Sequence, residues 1–448
     1  MKLPSKLTSF EQFLFFDDYP SYPNTIGCHL ALSGTLSPEF LGLAQELVCK
    51  HHPMFRTTLE MVGRKPVWSR CHQQAIVERL PEHLLDRPFV KKIDLHQEAG
   101  GQLHWAHHRN RTSLNFLTHH ATADGVGGLQ VVSDWLAAYE AMVRSQDDFS
   151  VAGERQLRRT DKEKLDRRAS YGFCSRKFLK TLPRQMIGLF GVREFLANRP
   201  VTLVPEAICP VEQPVPEDYP GFYTRELGGN DEIRQRAEKE NVTTNDLILR
   251  CIFVAVAHWR RERSFGTDRD LIRLMVPVNL RTLSDRYLPA SLRSSIVTLD
   301  RMAADCVHSE EFMNTIRFQM NVIKANELGY TFLHILNFSR WLPGGIRRFA
   351  NPERIGATML VTNLGEPFRK ARVPRTEDGR LVVGDMLLER LDLMAPLRPN
   401  TQAAFAIYRY ANRTFLSLTY DNRVIAEEDG RGLADRVCHE FQQAARQD

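Results

Sequence analysis

Paired cysteines are missing from this sequence. Its eight cysteines (Cys28, Cys49, Cys71, Cys174, Cys209, Cys251, Cys306 and Cys438) stand singly, and none forms a CxxC. That argues against both a zinc knuckle and a disulfide framework, and a reducing cytoplasm is the compartment that fits. A long apolar run is also missing. The most apolar stretch, "LILRCIFVAVAHW", is too short for a bilayer and contains Arg250, so no transmembrane segment is expected. The opening "MKLPSKLTSFEQFLFFDDYP" has no long apolar core and no small-residue cleavage site, so no signal peptide is expected. Charge of one sign is in short supply. A net charge of +6 suits an anionic small ligand or an acidic partner and is too weak to argue for nucleic acid. No low-complexity tract occurs, and 43% hydrophobic with 25% charged residues is ordinary globular composition.

What is present is a chain of 448 residues, long for one core. Two domains, or one duplicated fold, is the expectation. The punctuation supports a unit over 1–150, a charged and proline-rich crossover over 151–220, and a second unit over 221–448. In the first, Ser37 and Pro38 read as the N-cap and first position of a helix with Phe40, Leu41, Ala44, Leu47 and Val48 on its apolar face. "MFRTTLEMV" and "KPVWSR" read as a hairpin, and "QLHWAHH" with "TSLNFLTHH" as two strands around a polar turn. "GVGGLQVVSDWLAAYEAMV" then reads as a helix. The crossover holds the charged "RSQDDFSVAGERQLRRTDKEKLDRRAS", the apolar and basic "KFLKTLPRQMIGLFGVREFLA" and the proline-rich "VPEAICPVEQPVPEDYPG". From Gly221 the chain reads as a strand, a helix from Asp231, the helix "TTNDLILRCIFVAVAHWRR" and the strand "LIRLMVPVNLR".

Two segments echo each other. "NRTSLNFLTHHATADGVGGLQVVSDWL" and "NRTFLSLTYDNRVIAEEDGRGLADRVCHEF" both read as turn, strand, loop, helix, which suggests a duplication. The second copy has Tyr420 and Asp421 where the first has His119 and His120.

Most histidines here need only a packing role. His51, His52, His104, His107 and His108 fall under that reading, and a metal site from His104, His107 and His108 would need helical spacing where the segment alternates like a strand. The pair at 119 and 120 differs because Asp124 and Gly125 stand just beyond it. Neighbouring side chains of a strand point to opposite faces, so one imidazole can enter a cleft while the other packs behind. Asp124-Gly125 permits a sharp turn into a helix, and Gly125, Gly127 and Gly128 let another backbone or a ligand come close. By ordinary residue frequencies an HHxxxDG arises in on the order of one chain in a thousand.

"HHATADG" resembles the HHxxxDG motif of the condensation-domain and CoA-dependent acyltransferase superfamily. That group includes chloramphenicol acetyltransferase, the condensation domains of nonribosomal peptide synthetases, polyketide-associated acyltransferases and wax ester synthases. "LSGTLSPEFLGLAQELVCKHHPMFRTTLE", "VTTNDLILRCIFVAVAHW", "VPVNLR" and "VTNLG" resemble further elements of it along most of the chain. No DFGWG-like segment is present, against the plant alcohol acyltransferases, and the histidines exclude the heterocyclization variant.

The resemblance implies an α/β (α+β) fold of two acetyltransferase-like halves, each a mixed sheet with flanking helices, set as a V with a tunnel between them. It implies His120 as general base for a hydroxyl or amine acceptor attacking an acyl thioester of CoA or of carrier-protein phosphopantetheine. No bound cofactor and no metal are implied. Asp124 has two readings, orienting His120 as in a triad or pairing with an arginine to shape the loop, and Arg281 of "VPVNLR" is the partner candidate for the second. His119 and Gly125 are structural members of the motif. Thr362 and Asn363 are the oxyanion or tunnel candidates, with simple turn formation as the alternative. The arginines of "RQLRRTDKEKLDRR" and "IRRF" are candidates for a basic tunnel mouth. A silent condensation-like binding protein, and a wax ester or diacylglycerol synthase in peripheral contact with a membrane through "KFLKTLPRQMIGLFGVREFLA", are the competing readings. The same stretch could equally line the tunnel or bury between the halves, and burial is the favoured reading of it.

Overall fold

A computed structural model describes residues 3, 5–63, 65–146, 148–169, 176–205 and 210–443. In chain order the first stretch contributes β1 (Ser5–Lys6), α1 (Ser9–Phe16), β2 (Thr25–Thr35), α2 (Glu39–His51), β3 (Thr57–Val62), β4 (Lys65–Arg70), β5 (Ile76–Arg79), β6 (Gly101–His108), β7 (Arg111–His119) and α3 (Gly125–Arg144). The crossover carries α4 (Phe149–Gln156) and α5 (Arg176–Ala197). The remainder gives β8 (Gly221–Gly229), α6 (Asn230–Lys239), α7 (Thr244–Glu262), β9 (Leu271–Asn279), β10 (Ser294–Met302), α8 (Glu310–Ala325), α9 (Gly329–Ser339) and β11 (Met359–Asn363). Last come β12 (Val382–Val383), β13 (Asp385–Met394), β14 (Ala403–Tyr410), β15 (Arg413–Tyr420) and α10 (Glu427–Gln443).

These elements form two six-stranded mixed sheets with flanking helices, as expected, plus a small sheet β1-β4-β3. The first runs β12-β13-β2-β7-β6-β5 and the second β10-β9-β11-β14-β15-β8. Their shared order is the structural form of the sequence echo. β2-β7-β6-β5 and β8-β15-β14-β11 each pair antiparallel, antiparallel, then parallel. His119 faces Thr25, the first residue of β2, and Tyr420 faces Gly221, the first residue of β8. The register thus matches His119 with Tyr420 and His120 with Asp421.

The chain crosses back once. β12 and β13 come from the last third of the sequence yet complete the first sheet by pairing β13 with β2. β13 also meets the second sheet. Thr224 on β8 donates to Asp392 (3.1 Å) and Tyr410 on β14 donates to the Leu388 carbonyl (2.7 Å). Asp392 in turn holds His29 (2.9 Å), whose other ring nitrogen meets Ser113 (3.0 Å). This row has the connectivity of a hydrolase triad. All three side chains are buried, and neither His29 nor Ser113 lines the cavities between the lobes or beneath α5, so it serves as a polar pin between strands.

Local chemistry explains the helix starts. Asp124 caps α3 by accepting from the Gly127 N–H, and Thr243 with Asp246 forms a capping box on α7. Ser37 does not cap α2. The helix starts at Glu39 behind Pro38, while the Ser37 N–H is spent on the Tyr139 hydroxyl (2.9 Å). The apolar run of α7 is core, buried from Asp246 to Ala257 against β9, α8 and α10; its Arg250 reaches Glu240 (2.8 Å). No described helix is long and apolar enough to cross a membrane. Cys174 and Cys209 lie outside the described residues, and the other six cysteines are free thiols.

Candidate active site

The histidine pair ends β7, where the chain leaves the sheet. The His120 N–H donates to the Asn24 carbonyl (2.8 Å), and the Thr122 N–H closes a turn on the His119 carbonyl (2.8 Å). The two imidazoles then part, as strand alternation requires. His119 is fully buried. Its Nδ1 accepts from the Ala121 N–H (3.1 Å), which puts the proton on Nε2, 3.6 Å from Asp18 Oδ2. Lys92 reaches the same carboxylate (3.2 Å). Burial works to raise the Asp18 pKa, but His119 and Lys92 outweigh it and hold the carboxyl below the usual range. His119→Ala should therefore cost about 1–3 kcal/mol of stability by leaving the Ala121 N–H without its acceptor and removing one of the partners of Asp18, measured as a lower chemical-denaturation midpoint.

His120 turns the other way, into a cavity of about 130 Å³ between the two sheets. Its Nδ1 is the buried ring nitrogen. Burial pushes the ring's pKa below that of an ordinary imidazole. Its own backbone carbonyl and Asp124 oppose that shift without reversing it. His120 is therefore neutral at pH 7. The same cavity is lined by Asp124, Gly125, Arg281, Thr362 and Asn363, whereas His119, Gly127 and the candidate tunnel-mouth arginines do not line it.

The Asp124 carboxylate is held by partners other than His120. Arg281 grips it with two nitrogens (2.8 and 2.9 Å), the Gly127 N–H donates to Oδ1 (2.8 Å) and the Arg293 backbone N–H to Oδ2 (2.7 Å). No hydrogen bond joins Asp124 to His120 among the described residues. Burial tends to raise the Asp124 pKa, but the Arg281 charge and these donors win and lower it. Arg281 also donates to the Ser291 carbonyl (2.8 Å). These bonds tie the Asp124 carboxylate to the end of β9 and the start of β10.

The glycines allow that approach. A Cβ on Gly127 would stand 2.9 Å from the Ser291 carbonyl oxygen, a backbone atom that cannot move alone, and one on Gly125 would meet the Leu364 side chain at 3.0 Å. Gly127→Ala should destabilise the protein by about 1–3 kcal/mol through this clash, visible as a lower melting temperature.

Thr362 projects from β11 towards the cavity beside Ala406 of β14, its small neighbour in register. Asn363 is partly committed to the turn, since its Oδ1 accepts from the Gly365 N–H (3.0 Å). Sequence reasoning missed a second ion pair at this cavity. Asp17, after α1, is gripped by Nε and Nη2 of Arg398 (2.8 Å for Nη2), and both residues line the wall. The signal for such a pair is absent from the sequence because 381 positions separate its members.

The basic stretches divide. Two arginines of "RQLRRTDKEKLDRR" are tied into the framework: Arg158 pairs with the buried Asp134 (2.8 Å), and Arg168 with Glu11 (2.9 Å), the latter pair almost fully buried. Arg347 and Arg348 of "IRRF" instead line an open groove with Arg354. His51, His52 and Asp134 bring three ligand atoms within 4.8 Å. Each is already engaged: His52 Nδ1 accepts from Ala290 N–H (3.0 Å), its Nε2 meets Asp134 (2.9 Å), and His51 meets the Arg158 carbonyl (2.6 Å). A cation there would also face the Arg158 guanidinium, so the cluster is a structural network.

No family model matches the sequence, and no curated protein matches it either. Solved structures do match. The first condensation domain of the calcium-dependent antibiotic synthetase, in complex with a substrate analogue, is similar with a TM-score of 0.67 at 13% identity, covering 100% of this chain and 98% of that one. The chain has the condensation-domain fold. A mutant starter condensation domain of rhizomide synthetase, in complex with C8-CoA and Leu-SNAC, gives 0.63 at 14% identity over 98% of this chain and 94% of that one. The wax ester synthase/diacylglycerol acyltransferase of Marinobacter aquaeolei VT8 gives 0.57 at 12% identity over 98% and 100%. At these identities the likeness is one of fold. The two six-stranded sheets are the two lobes of that fold, and the His120 cavity lies between them.

Proposed function

We propose that the protein is an acyltransferase that moves an acyl group from a CoA or carrier-protein thioester to a hydroxyl or amine. The observation that carries this reading is His120 facing an interlobe cavity that Thr362 also lines, with burial favouring the uncharged ring and no hydrogen bond from a carboxylate to the imidazole among the described residues. Because Nδ1 is buried, Nε2 is the nitrogen that takes the acceptor's proton. The acceptor oxygen or nitrogen attacks the thioester carbonyl carbon, and the carbonyl electrons pass to an oxyanion. We assign the Thr362 hydroxyl, which lines the same cavity, as the donor for that charge, since Asn363 is partly spent on its turn. Collapse of the intermediate breaks the C–S bond, and the thiolate leaves with the proton from the imidazolium. Rhizomide synthetase's starter domain in complex with C8-CoA supports a thioester donor by analogy of fold.

Mass spectrometry of purified protein incubated with a panel of acyl-CoAs and acyl-carriers against alcohols and amines tests the reading. Acyl products that vanish in His120→Ala support it. No product with any pair would favour the silent binding protein.

Acyl transfer at a membrane surface is a second reading. It rests on the outer face of α5, where Met186, Leu189 and Phe190 are exposed among Arg184 and Arg193. The side chains of this helix before Pro183 lie outside the described residues. Flotation with anionic phospholipid vesicles should then carry the protein, and Phe190→Glu should release it.

A further inference from the structure

A second cavity of about 560 Å³ adjoins the His120 cavity, and the two share Phe13, Met275, Ile296 and Arg398 as a common wall. Its floor is β10 with α8 and α9, and its roof is one face of α5. The roof is held by polar clamps at both ends. Gln185 accepts from the Thr331 hydroxyl (2.7 Å) and reaches the Asn326 carbonyl (3.4 Å). Arg273 donates to the Phe195 and Asn198 carbonyls (both 3.3 Å) at the other end. Between the clamps the roof presents Ile187, Gly188, Gly191, Val192 and Phe195 to the space below.

The chemistry of the lining narrows the occupant. The wall is mostly aliphatic and aromatic, and most of its polar side chains already have protein partners. Asp300 is paired with Arg273 (2.6 Å), Thr331 with Gln185 (2.7 Å), Gln319 with Arg301 (2.7 Å), Ser339 with the Leu336 carbonyl (2.8 Å) and Arg398 with Asp17. A ligand rich in amides, such as a pantetheine arm, would leave its own polar groups unpaired here, at a cost for each. A hydrocarbon loses nothing and gains by leaving water. A cavity of this size and apolarity is also in the range of small-molecule sites.

We propose that this cavity is a chamber for a straight aliphatic chain attached to the group that reacts at His120. The inference rests on the acyl-transfer reading, because it makes the chain part of a substrate. The chain belongs to the acyl donor or to an alcohol acceptor, and the two sources are separable by binding.

Calorimetry with straight-chain acyl-CoAs from about 2 to about 16 carbons, and separately with straight-chain 1-alkanols, is the test. The series that uses the chamber should gain about fourfold in affinity per added methylene, then level off when the chamber is full. Gly191→Phe should move that plateau to shorter chains. A side chain there starts in open space, with nothing within 4 Å of its Cβ, so the fold is expected to tolerate it. Ile335→Phe, on the α9 wall, should act in the same direction. Neither series responding to chain length, or long chains binding a folded Gly191→Phe protein as well as the wild type, would overturn the chamber. Length-dependent binding without acyl transfer to any acceptor would keep the chamber and remove the enzyme reading. Acyl transfer from short donors with flat binding in both series would do the opposite.

Discussion

His120→Ala is expected to lower turnover by about 10²–10⁴-fold, the usual contribution of a positioned general base, while leaving the melting temperature close to that of wild type. The side chain sits half-buried at the cavity wall, where its loss removes proton transfer and little packing. The pH profile gives an independent check. The reactive form is the neutral imidazole, and burial lowers its pKa from the ordinary 6.5. Wild-type kcat/KM should stay level down to about the ordinary imidazole pKa and fall only at more acidic values, as His120 gains its proton. That acid limb should be missing from whatever rate His120→Ala retains. A variant with near wild-type turnover, or a wild-type limb above the ordinary imidazole value, would remove the base role.

What could be read in the sequence was local, or came from a motif whose members are close together. The hairpin β3–β4, the strands β6 and β7, and helices α3 and α7 are all patterned within a few residues, so periodicity and caps suffice to place them. The HHxxxDG segment lies at the end of one strand and in the loop beyond it, and its proximity to "VPVNLR" and "VTNLG" came from resemblance. Two kinds of feature were not settled that way. The return of β13 to the first sheet pairs Asp385–Met394 with β2, from the opposite end of the chain. Nothing in the apolar pattern of a half-buried strand says which sheet it will join. The apolar chamber was legible only as one of several roles open to the α5 stretch, because that helix is apolar on two faces. One face lines a cavity and the other meets solvent, and the sequence shows only that the helix is greasy and basic. The Ser37 cap is not formed because α2 starts one position later, behind Pro38, while Ser37's own N–H and carbonyl meet the Tyr139 hydroxyl.

Asp124→Asn is expected to cost about 3–5 kcal/mol of stability, as breaking a buried pair does, together with a loss of turnover of about 10²-fold from a displaced His120. The carboxylate is nearly fully buried and accepts from four donors, two on Arg281 and the backbone N–H groups of Gly127 and Arg293. An amide in its place keeps one acceptor oxygen. Its NH₂ must then face Arg281 together with either the Gly127 or the Arg293 N–H, donor against donor, and the guanidinium loses its counter-charge. The acid side of the stability curve should carry the same signature. The folded-state pKa of Asp124 lies below the usual carboxylate value of 3.8, so its contribution is fully present above that value. It is lost as pH falls through the depressed pKa, and the variant should lack that loss. Arg281→Met should reproduce the destabilisation by stranding the carboxylate. Combining it with Asp124→Asn should cost less than the sum of the two, because the first change already breaks the pair. A triad role predicts the reverse pattern, with turnover falling in Asp124→Asn while the melting temperature holds. That outcome would overturn the anchor and return Asp124 to the chemistry of His120.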